Sequence, residues 1–155
     1  DGAMDYLMGP SSTAPGLVVN LHESGKGCHV YLGASKTVSI PLFLFKGKKY
    51  KWGGKNFNGV DCSALVQLFF NFNNKFCPRD TKDQLNYFKK KIKLQNIMKN
   101  DLIFWQGHVA IILSKNKLIH AYGPLKKVLI MNINYAIKRI EKTANFKVIG
   151  IRRAN

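Results

Sequence analysis

The stretch that decides the fold is YKWGGKNFNGVDCSALVQLFFNF, residues 50–72. Its first half is rich in glycine and carries aromatic residues at intervals, which is typical of an irregular loop. Its second half places Leu65, Leu68, Phe69 and Phe72 at helical spacing, which predicts a helix with one buried face. A loop therefore runs directly into the start of a helix.

Two polar residues and a cysteine stand at that predicted helix start. Asp61 occupies the position of an N-cap, because its side chain can accept a hydrogen bond from a backbone N–H of the first turn. Cys62 and Ser63 follow within the turn. A thiol at a helix N-terminus faces unpaired backbone N–H groups, which favour the thiolate and can hold the oxyanion formed when sulfur attacks a carbonyl. We therefore interpret Cys62 as a nucleophile, with its own N–H or that of Ser63 as the oxyanion donor.

The rest of the chain predicts a second helix and then a series of strands. The stretch PRDTKDQLNYFKKK predicts a second helix, capped by Asp80 or Thr81 and followed by basic residues, the charge order that the helix dipole favours. The runs DLIFW, HVAIILS, KLIHAY and KVLIMNI are rich in β-formers, and FKVIGIRR closes the chain after a helical segment at residues 135–142. Helices followed by a meander of strands predict an α+β fold with helices packed on an antiparallel sheet.

Two histidines lie in adjacent predicted strands, and the loop between the strands decides whether they meet. Opposed residues of an antiparallel pair share a face. A two-residue turn would put His108 and His120 on opposite faces. A three-residue loop over residues 114–116 makes His120 oppose Ala110 and sets His108 diagonally beside it, with Asn116 in the left-handed position. The chemistry therefore predicts the longer loop, with one imidazole at the thiol and the other fixing its tautomer.

The three cysteines, Cys28, Cys62 and Cys77, are an odd number without a C-x-x-C pair, which argues against a disulfide framework and a closed structural zinc site. We expect no metal and no cofactor. Taken alone, Cys62 would more often be a small buried apolar residue, and the two histidines would be hydrogen-bonded sheet residues. Their combined placement favours catalysis. Zinc binding by these three side chains and a non-catalytic basic binding domain stay open as alternatives.

The charge balance is strongly basic. The chain of 155 residues carries 25 Lys and Arg against 8 Asp and Glu, a net charge of +17. Such a field attracts anions, but the lysines are spread along the chain and accompany abundant Asn, Ile and Phe. We therefore do not favour nucleic acid and expect a cell-wall polymer or a solvated surface. No run approaches the roughly 20 apolar residues of a membrane helix, so we expect no membrane span.

The first 45 residues differ from the remainder. Residues 1–16 are rich in Gly, Pro, Ser and Ala, and we interpret them as an expression remnant and a linker. Residues 17–45 hold the apolar pieces LVV, HVYL and IPLFLF between Gly and Ser clusters, which predicts short strands or part of a small β module. The catalytic domain is expected at residues 46–155. The compartment stays open between the cytoplasm and the cell envelope of a bacterium, since no signal peptide is visible.

Four blocks, YKWGGKNFNGVDCSALVQ, CPRDTKDQ, DLIFWQGHVAII and LIHAYG, resemble in order and spacing the motifs of NlpC-type cell-wall cysteine peptidases, which have a papain-like fold. The resemblance covers residues 47–155. It implies Cys62 as the nucleophile, His108 as its base and His120 as the group that orients the base. It also implies that Tyr50 lies near the thiol, where its hydroxyl can help the oxyanion.

Relatives of this type cleave the bond between γ-D-glutamate and a diamino acid in peptidoglycan stem peptides, so the resemblance implies a stem peptide or muropeptide as the substrate. It sets Asp61 and Asp80 where a substrate amine is met, with Ser63 and Arg79 as neutral or carboxylate-binding partners. The competing interpretation is a helix cap for Asp61 and a helix start for Arg79 and Asp80.

Some relatives carry an SH3 module ahead of the domain, of which residues 17–45 would be at most a remnant. We expect a monomer, and an amidase or acyltransferase with the same site is the alternative reaction.

Overall fold

The computed structural model describes residues 3–7, 18–22, 29–31 and 40–154. In the first three ranges the backbone forms an antiparallel sheet of strands β1 (Ala3–Leu7), β2 (Val18–His22) and β3 (His29–Tyr31). β2 and β3 fall where the sequence predicts short strands, whereas β1 falls in the segment that showed no pattern. Cys28 and most of the first 39 residues lie outside the described residues. The division into an N-terminal appendage and a catalytic domain therefore stays a prediction.

The run IPLFLF is a helix, α1 (Ile40–Phe45), so the strand predicted there is wrong. Leu42 and Phe45 are each 2% exposed, whereas Phe43 between them is 55% exposed. Buried side chains three residues apart define one face of a helix, and an unbroken apolar run does not reveal that spacing. The Phe45 ring stacks on Phe57 with centroids 4.5 Å apart, so α1 packs against the glycine-rich loop.

The decisive stretch folds as predicted into a loop and a helix, α2 (Cys62–Phe72). A short hairpin of β4 (Lys55–Asn56) and β5 (Gly59–Val60) leads into it. Asp61 is the N-cap, and its Oδ1 accepts the N–H of Ala64 at 2.8 Å. Nine of the eleven residues of α2 are buried, which makes it the central helix of the domain.

The second predicted helix is α3 (Thr81–Tyr87). Asp80 occupies its N-cap position, but the Asp80 side chain makes no capping hydrogen bond. Gln84 is fully buried, and its Nε2 donates to the carbonyls of Ser63 at 2.8 Å and Pro78 at 2.9 Å. These bonds tie α3 to the first turn of α2, so both helices begin at the same place.

The central sheet has six strands: β6 (Lys90–Lys91), β7 (Leu102–Trp105), β8 (His108–Ile112), β9 (Lys117–Tyr122), β10 (Lys127–Asn132) and β11 (Val148–Arg153). Their order across the sheet is β10-β9-β8-β7-β11-β6, with every neighbouring pair antiparallel. Helix α4 (Ile133–Ala144) contains the helical segment predicted at residues 135–142. None of the helices in the described part of the chain is long and apolar enough to cross a bilayer. The predicted α+β class is confirmed.

The two faces of the sheet carry two cores. α2 shares one core with Val109 and Ile111 of β8, and α4 shares the other with Ala110 and Ile112 of the same strand. Successive side chains of a strand point to opposite faces, so one strand serves both cores. A strand buried on both faces is apolar throughout, which is why VAII shows no polar alternation.

The register of β8 and β9 is the one that the chemistry required. Ile111 pairs with Ile119, which is the register produced by a three-residue loop over residues 114–116. His108 and His120 consequently become diagonal neighbours on one face. The prediction of the longer loop is confirmed.

The conformation predicted for Asn116 is wrong, because this residue is not among those with a positive φ. Other bonds hold the loop in place of a left-handed residue. Ser114 Oγ donates to Asn116 Oδ1 at 2.9 Å, and the Asn116 carbonyl accepts the N–H of Ile133, also at 2.9 Å. The second bond joins the loop to the start of α4, a contact that only the tertiary fold provides.

Candidate active site

Cys62 opens α2 and lines a cleft of about 350 Å³. The residue is only 7% exposed, yet it borders the cleft and is not sealed in the core. The structure gathers most of the predicted site around this one cavity. Besides Cys62, the predicted residues that line it are Tyr50, Asp61, Ser63, Arg79 and Asp80.

Hydrogen-bonding groups from three elements surround the sulfur. Cys62 Sγ lies 3.9 Å from the Thr81 hydroxyl and 3.8 Å from the Gly107 carbonyl, to which the thiol donates. The backbone N–H groups of Ser63 and Val109 also hydrogen-bond to the sulfur. Gly107 has φ +69°, a left-handed conformation that glycine adopts readily, and it makes the turn between β7 and β8. The turn therefore delivers a carbonyl acceptor to the thiol.

Burial dominates the acidity of the Cys62 thiol. It raises the pKa above the ordinary 9.0, and the nearby negative charge of Asp61 raises it further. The hydrogen bonds from Val109, Thr81 and Ser63 lower the pKa but do not cancel the effect of burial. The thiol is therefore neutral at pH 7 in the free protein, which disagrees with the preformed thiolate that a helix N-terminus suggested.

The two histidines form the predicted pair. His108 Nε2 lies 2.8 Å from His120 Nδ1. His120 is completely buried and stacks on Tyr122, with ring centroids 4.8 Å apart and planes at 9°. Because Nε2 of His108 is engaged by His120, Nδ1 is the nitrogen left for the thiol proton. That role requires the hydrogen of neutral His108 on Nε2, donated to His120 Nδ1.

Burial keeps both imidazoles neutral. It lowers the pKa of His108 to about 4. It also lowers the pKa of His120, with the neighbouring His108 as a second cause. An unprotonated imidazole is the form that accepts a proton, so the neutral state of His108 agrees with the general-base role predicted for it.

The structure brings the Cys62 thiol to the backbone on either side of His108, and neither His108 nor His120 is among the residues that line the cleft. Within the described part of the chain, no hydrogen bond joins Cys62 Sγ to either imidazole. The sulfur instead contacts the backbone of Gly107 and Val109, which flank His108. The regular pairing of β8 with β9 covers Ile111 and Ile112 of β8 and does not extend to His108 and His120. Catalytic hydrogen bonds often shorten only when substrate binds, and we expect this contact to form then.

The Asp61 carboxylate is engaged by protein groups. Arg79 donates to both of its oxygens, at 2.9 and 2.7 Å, and also to Ser63 Oγ at 2.8 Å. The N–H groups of Gly53 and Ala64 donate to the same carboxylate at 3.0 and 2.8 Å. The helix-cap interpretation of Asp61 is thus confirmed. Asp61 and Arg79 are a framework pair that holds the glycine-rich loop against the start of α2.

The rim of the cleft contains residues with fewer internal contacts. The Asp80 side chain is exposed there, and Tyr50 is half-buried. Burial raises the pKa of the Tyr50 hydroxyl, as do the nearby Cys62 and Asp61, so Tyr50 stays a neutral hydrogen-bond donor. Trp52 is 84% exposed on the same rim.

Sequence reasoning missed five residues of the cleft: Trp52, Gly53, Thr81, Lys82 and Gly107. Thr81 was considered only as a helix cap, although its position in the PRDT block was a usable signal. Gly107 directly precedes His108, and a glycine at a hairpin turn is a signal of backbone placed close to another group. Nothing in the local sequence marked Lys82.

The described residues contain no group of three His, Cys, Asp or Glu side chains placed to hold a metal ion. Cys62, His108 and His120 therefore do not form such a group in this conformation. The zinc alternative gains no support from the geometry.

Comparison with known proteins identifies the family of this chain. The model of the NlpC/P60 family matches residues 47–144, more than half of the chain. The chain belongs to the NlpC/P60 family. The match begins at the residue where the sequence resemblance begins and includes Cys62, His108, His120 and the five cleft residues that sequence reasoning missed.

Individual members of the NlpC/P60 family agree with this assignment. Dipeptidyl-peptidase 6 of Lysinibacillus sphaericus is 36% identical over 72 residues, which are 46% of this chain and 27% of that protein. The probable endopeptidase NlpC homolog of Haemophilus influenzae is 34% identical over 79 residues, 48% of this chain and 42% of that protein. The chain thus spans less than half the length of either relative.

A solved structure confirms the fold. An NlpC/P60 family protein from Bacillus cereus superposes with a TM-score of 0.65 at 25% identity, covering 79% of this chain and 41% of that chain. The fold is therefore the papain-like NlpC-type α+β fold that the sequence resemblance implied.

Proposed function

We propose that this protein is a cysteine peptidase that hydrolyses the γ-D-glutamyl–diamino acid bond of peptidoglycan stem peptides through an acyl-enzyme on Cys62. Membership of the NlpC/P60 family and the peptidase names of the two relatives support a hydrolase. The observation that carries the proposal is a thiol at a helix start that borders a cleft and hydrogen-bonds to the backbone on both sides of His108, whose imidazole pairs with His120.

The first step transfers one proton and forms one bond. The Cys62 thiol gives its proton to His108 Nδ1 as the sulfur attacks the scissile carbonyl. The resulting imidazolium donates through Nε2 to His120 Nδ1, which stabilises the charge that desolvation disfavours. Because both partners begin neutral, the charge separation develops only with substrate in the cleft.

The oxyanion needs donors that the helix does not use. The first backbone bond of α2 runs from Leu65 N to the Asp61 carbonyl, and Asp61 Oδ1 caps Ala64 N. The Cys62 N–H is therefore not used within the helix and can face the oxyanion, whereas the Ser63 N–H hydrogen-bonds to the sulfur in the free protein and reaches the oxyanion only by leaving it. The neutral Tyr50 hydroxyl on the same cleft is a further donor.

The second half of the reaction regenerates the thiol. The tetrahedral intermediate collapses with cleavage of the C–N bond, and His108 protonates the leaving amine. Water then attacks the thioester with His108 as base, and the acid product leaves as Cys62 recovers its proton. No metal or cofactor takes part.

Substrate recognition follows from which charges of the cleft are already paired. The Asp61 carboxylate is compensated by Arg79, so it does not offer a free charge to a substrate amine. Asp80 is exposed on the rim and is the carboxylate open to that amine. Lys82 on the same rim suits a carboxylate of the stem peptide.

Mass spectrometry of a defined muropeptide tests the proposal. The wild-type protein should release a product that ends in γ-D-glutamate, and Cys62→Ala should release none. Cys77→Ala is the matched control, because Cys77 is a second thiol, 1% exposed and outside the cleft, and it should cut as the wild type does.

Each other outcome of that experiment contradicts a stated part of the proposal. Equal turnover by Cys62→Ala would remove the assigned nucleophile. A Cys62-dependent cut at another amide would favour the amidase alternative, and transfer of the acyl group to a second muropeptide would favour the acyltransferase. Binding without any turnover would favour a non-catalytic binding domain.

A further inference from the structure

A second cavity, of about 420 Å³, lies away from Cys62. Phe70, near the end of α2, and Tyr87, the last residue of α3, both line it. Both helices begin at the catalytic cleft, and the eight residues from Cys62 to Phe70 correspond to roughly 12 Å of helix. We call this cavity the distal groove. Its other lining residues are Lys75, Phe76, Phe88, Lys89, Lys90, Arg153 and Ala154.

Two aromatic rings stand exposed in the distal groove. Phe76 is 68% exposed and Tyr87 is 47% exposed. Their rings meet edge to face with centroids 5.4 Å apart, and Tyr87 also contacts the buried Phe88. An exposed aromatic pair adds little to the core, and such a patch commonly marks a binding surface. The rings are held in place by neighbours, so they offer a preformed apolar wall.

Cations are crowded at the same end of the sheet. In the short ladder between β6 and β11, Lys90 is paired directly with Arg153 and Lys91 with Arg152. Like charges opposite one another in a sheet are destabilising. Asp101 compensates Arg153 through two hydrogen bonds of 2.8 Å. Within the described part of the chain, no carboxylate is among the residues that line the distal groove.

The structural alternative is that basic residues after α3 simply complement its dipole. That accounts for Lys89, which follows the helix closely. It does not account for cations paired face to face on β6 and β11, or for the exposed ring pair beside them. An anionic ligand with apolar rings would satisfy both features at once.

We propose that the distal groove is an accessory site for the peptidoglycan strand that carries the stem peptide being cut. Sugar rings pack on Phe76 and Tyr87, and the carboxylates of a neighbouring stem peptide pair with Lys89 and Lys90. This inference rests on the proposed function. It specifies the substrate further: a polymeric strand supplies both a stem peptide to the cleft and sugar rings to the groove, whereas a free stem peptide brings no sugar ring to Phe76 and Tyr87.

Two measurements on matched variants test the inference. The groove variants are Lys89→Gln/Lys90→Gln and Phe76→Ala/Tyr87→Ala, and the control is Lys138→Gln/Lys142→Gln, which removes two exposed charges from α4. In a Cys62→Ala background, cosedimentation with purified insoluble peptidoglycan should weaken about fivefold for each groove variant and stay unchanged for the control. In the active protein, kcat/KM on soluble uncrosslinked peptidoglycan strands should fall about fivefold for the groove variants, with no change on a free stem peptide.

The outcomes separate this inference from the proposed function. Unchanged sedimentation of both groove variants would overturn the accessory site, as would an equal loss for the α4 control, which would indicate general attraction of charge. Groove variants that lose binding to a 20-nucleotide single strand but keep binding to peptidoglycan would assign the groove to nucleic acid instead. If the wild-type protein does not cut the stem peptide, the proposed function fails, and the sedimentation result still decides whether the groove binds the polymer.

Discussion

The protonation state of Cys62 before substrate binds is open to direct measurement. Because burial raises the thiol pKa above 9.0 and lowers the His108 pKa to about 4, both groups are neutral between these values. A thiol with a pKa of 9.0 is about 1% thiolate at pH 7, so the buried Cys62 is below that fraction. The rate of alkylation should therefore rise about tenfold per pH unit from pH 6 to 9.

The assay is reaction with iodoacetamide followed by intact-protein mass spectrometry. Cys62→Ala gives the contribution of Cys28 and Cys77 at each pH, which is subtracted. Cys77 should react more slowly still, since burial raises its pKa to about 12. His108→Ala is the decisive comparison and should leave the profile below pH 8 unchanged, because a neutral imidazole does not stabilise a thiolate.

A different profile would refute this reasoning. A preformed thiolate–imidazolium pair would give a flat alkylation rate across about pH 5 to 8, with a fall only below the thiol pKa. If such a plateau appeared and His108→Ala abolished it, the ion pair would exist in the free protein, and attack on substrate would not require proton transfer first.

Three further predictions concern residues around Cys62. His120→Ala should lower kcat on a stem peptide about 100-fold with little change in KM. His120→Asn should recover part of the loss, because the side-chain amide oxygen can accept a hydrogen bond from His108 Nε2–H. Equal kcat values for the two variants would exclude an orienting role. Thr81→Val removes the hydroxyl that lies 3.9 Å from Cys62 Sγ and that lowers the pKa of the thiol. The pH profile of Cys62 alkylation should therefore move to higher pH. An unshifted profile would show that this hydroxyl does not stabilise the thiolate. Arg79→Met should lower the free energy of unfolding in urea by about 1–3 kcal/mol, which is less than for a fully buried pair because the Arg79 side chain is 29% exposed. A double-mutant cycle with Asp61→Asn should show a coupling energy of about 1 kcal/mol between the two residues. A coupling energy near zero would contradict the framework role.

Local sequence determined the parts of this protein that depend on neighbours in the chain. The cap at Asp61 and the helix from Cys62 follow from hydrogen bonds within four residues and from helical spacing of apolar side chains. The two-residue period of a strand limits the register of β8 and β9 to two cases, and the requirement that His108 meet His120 selects the three-residue loop. The helix of IPLFLF was mispredicted because an all-apolar run has no periodicity, and only packing chose which of its faces is buried.

Tertiary structure alone decided what surrounds the sulfur and how it ionises. Gly107 is 45 residues from Cys62 and Thr81 is 19 residues away, so no local pattern reports their contact with the thiol. The pairing of Asp61 with Arg79 spans 18 residues in the same way and removes one carboxylate from substrate binding. The sign of the pKa shift at Cys62 depends on the balance between desolvation and hydrogen bonds from Thr81 and Val109. Desolvation is set by the volume of protein packed around a group, and that quantity exists only once distant segments have come together.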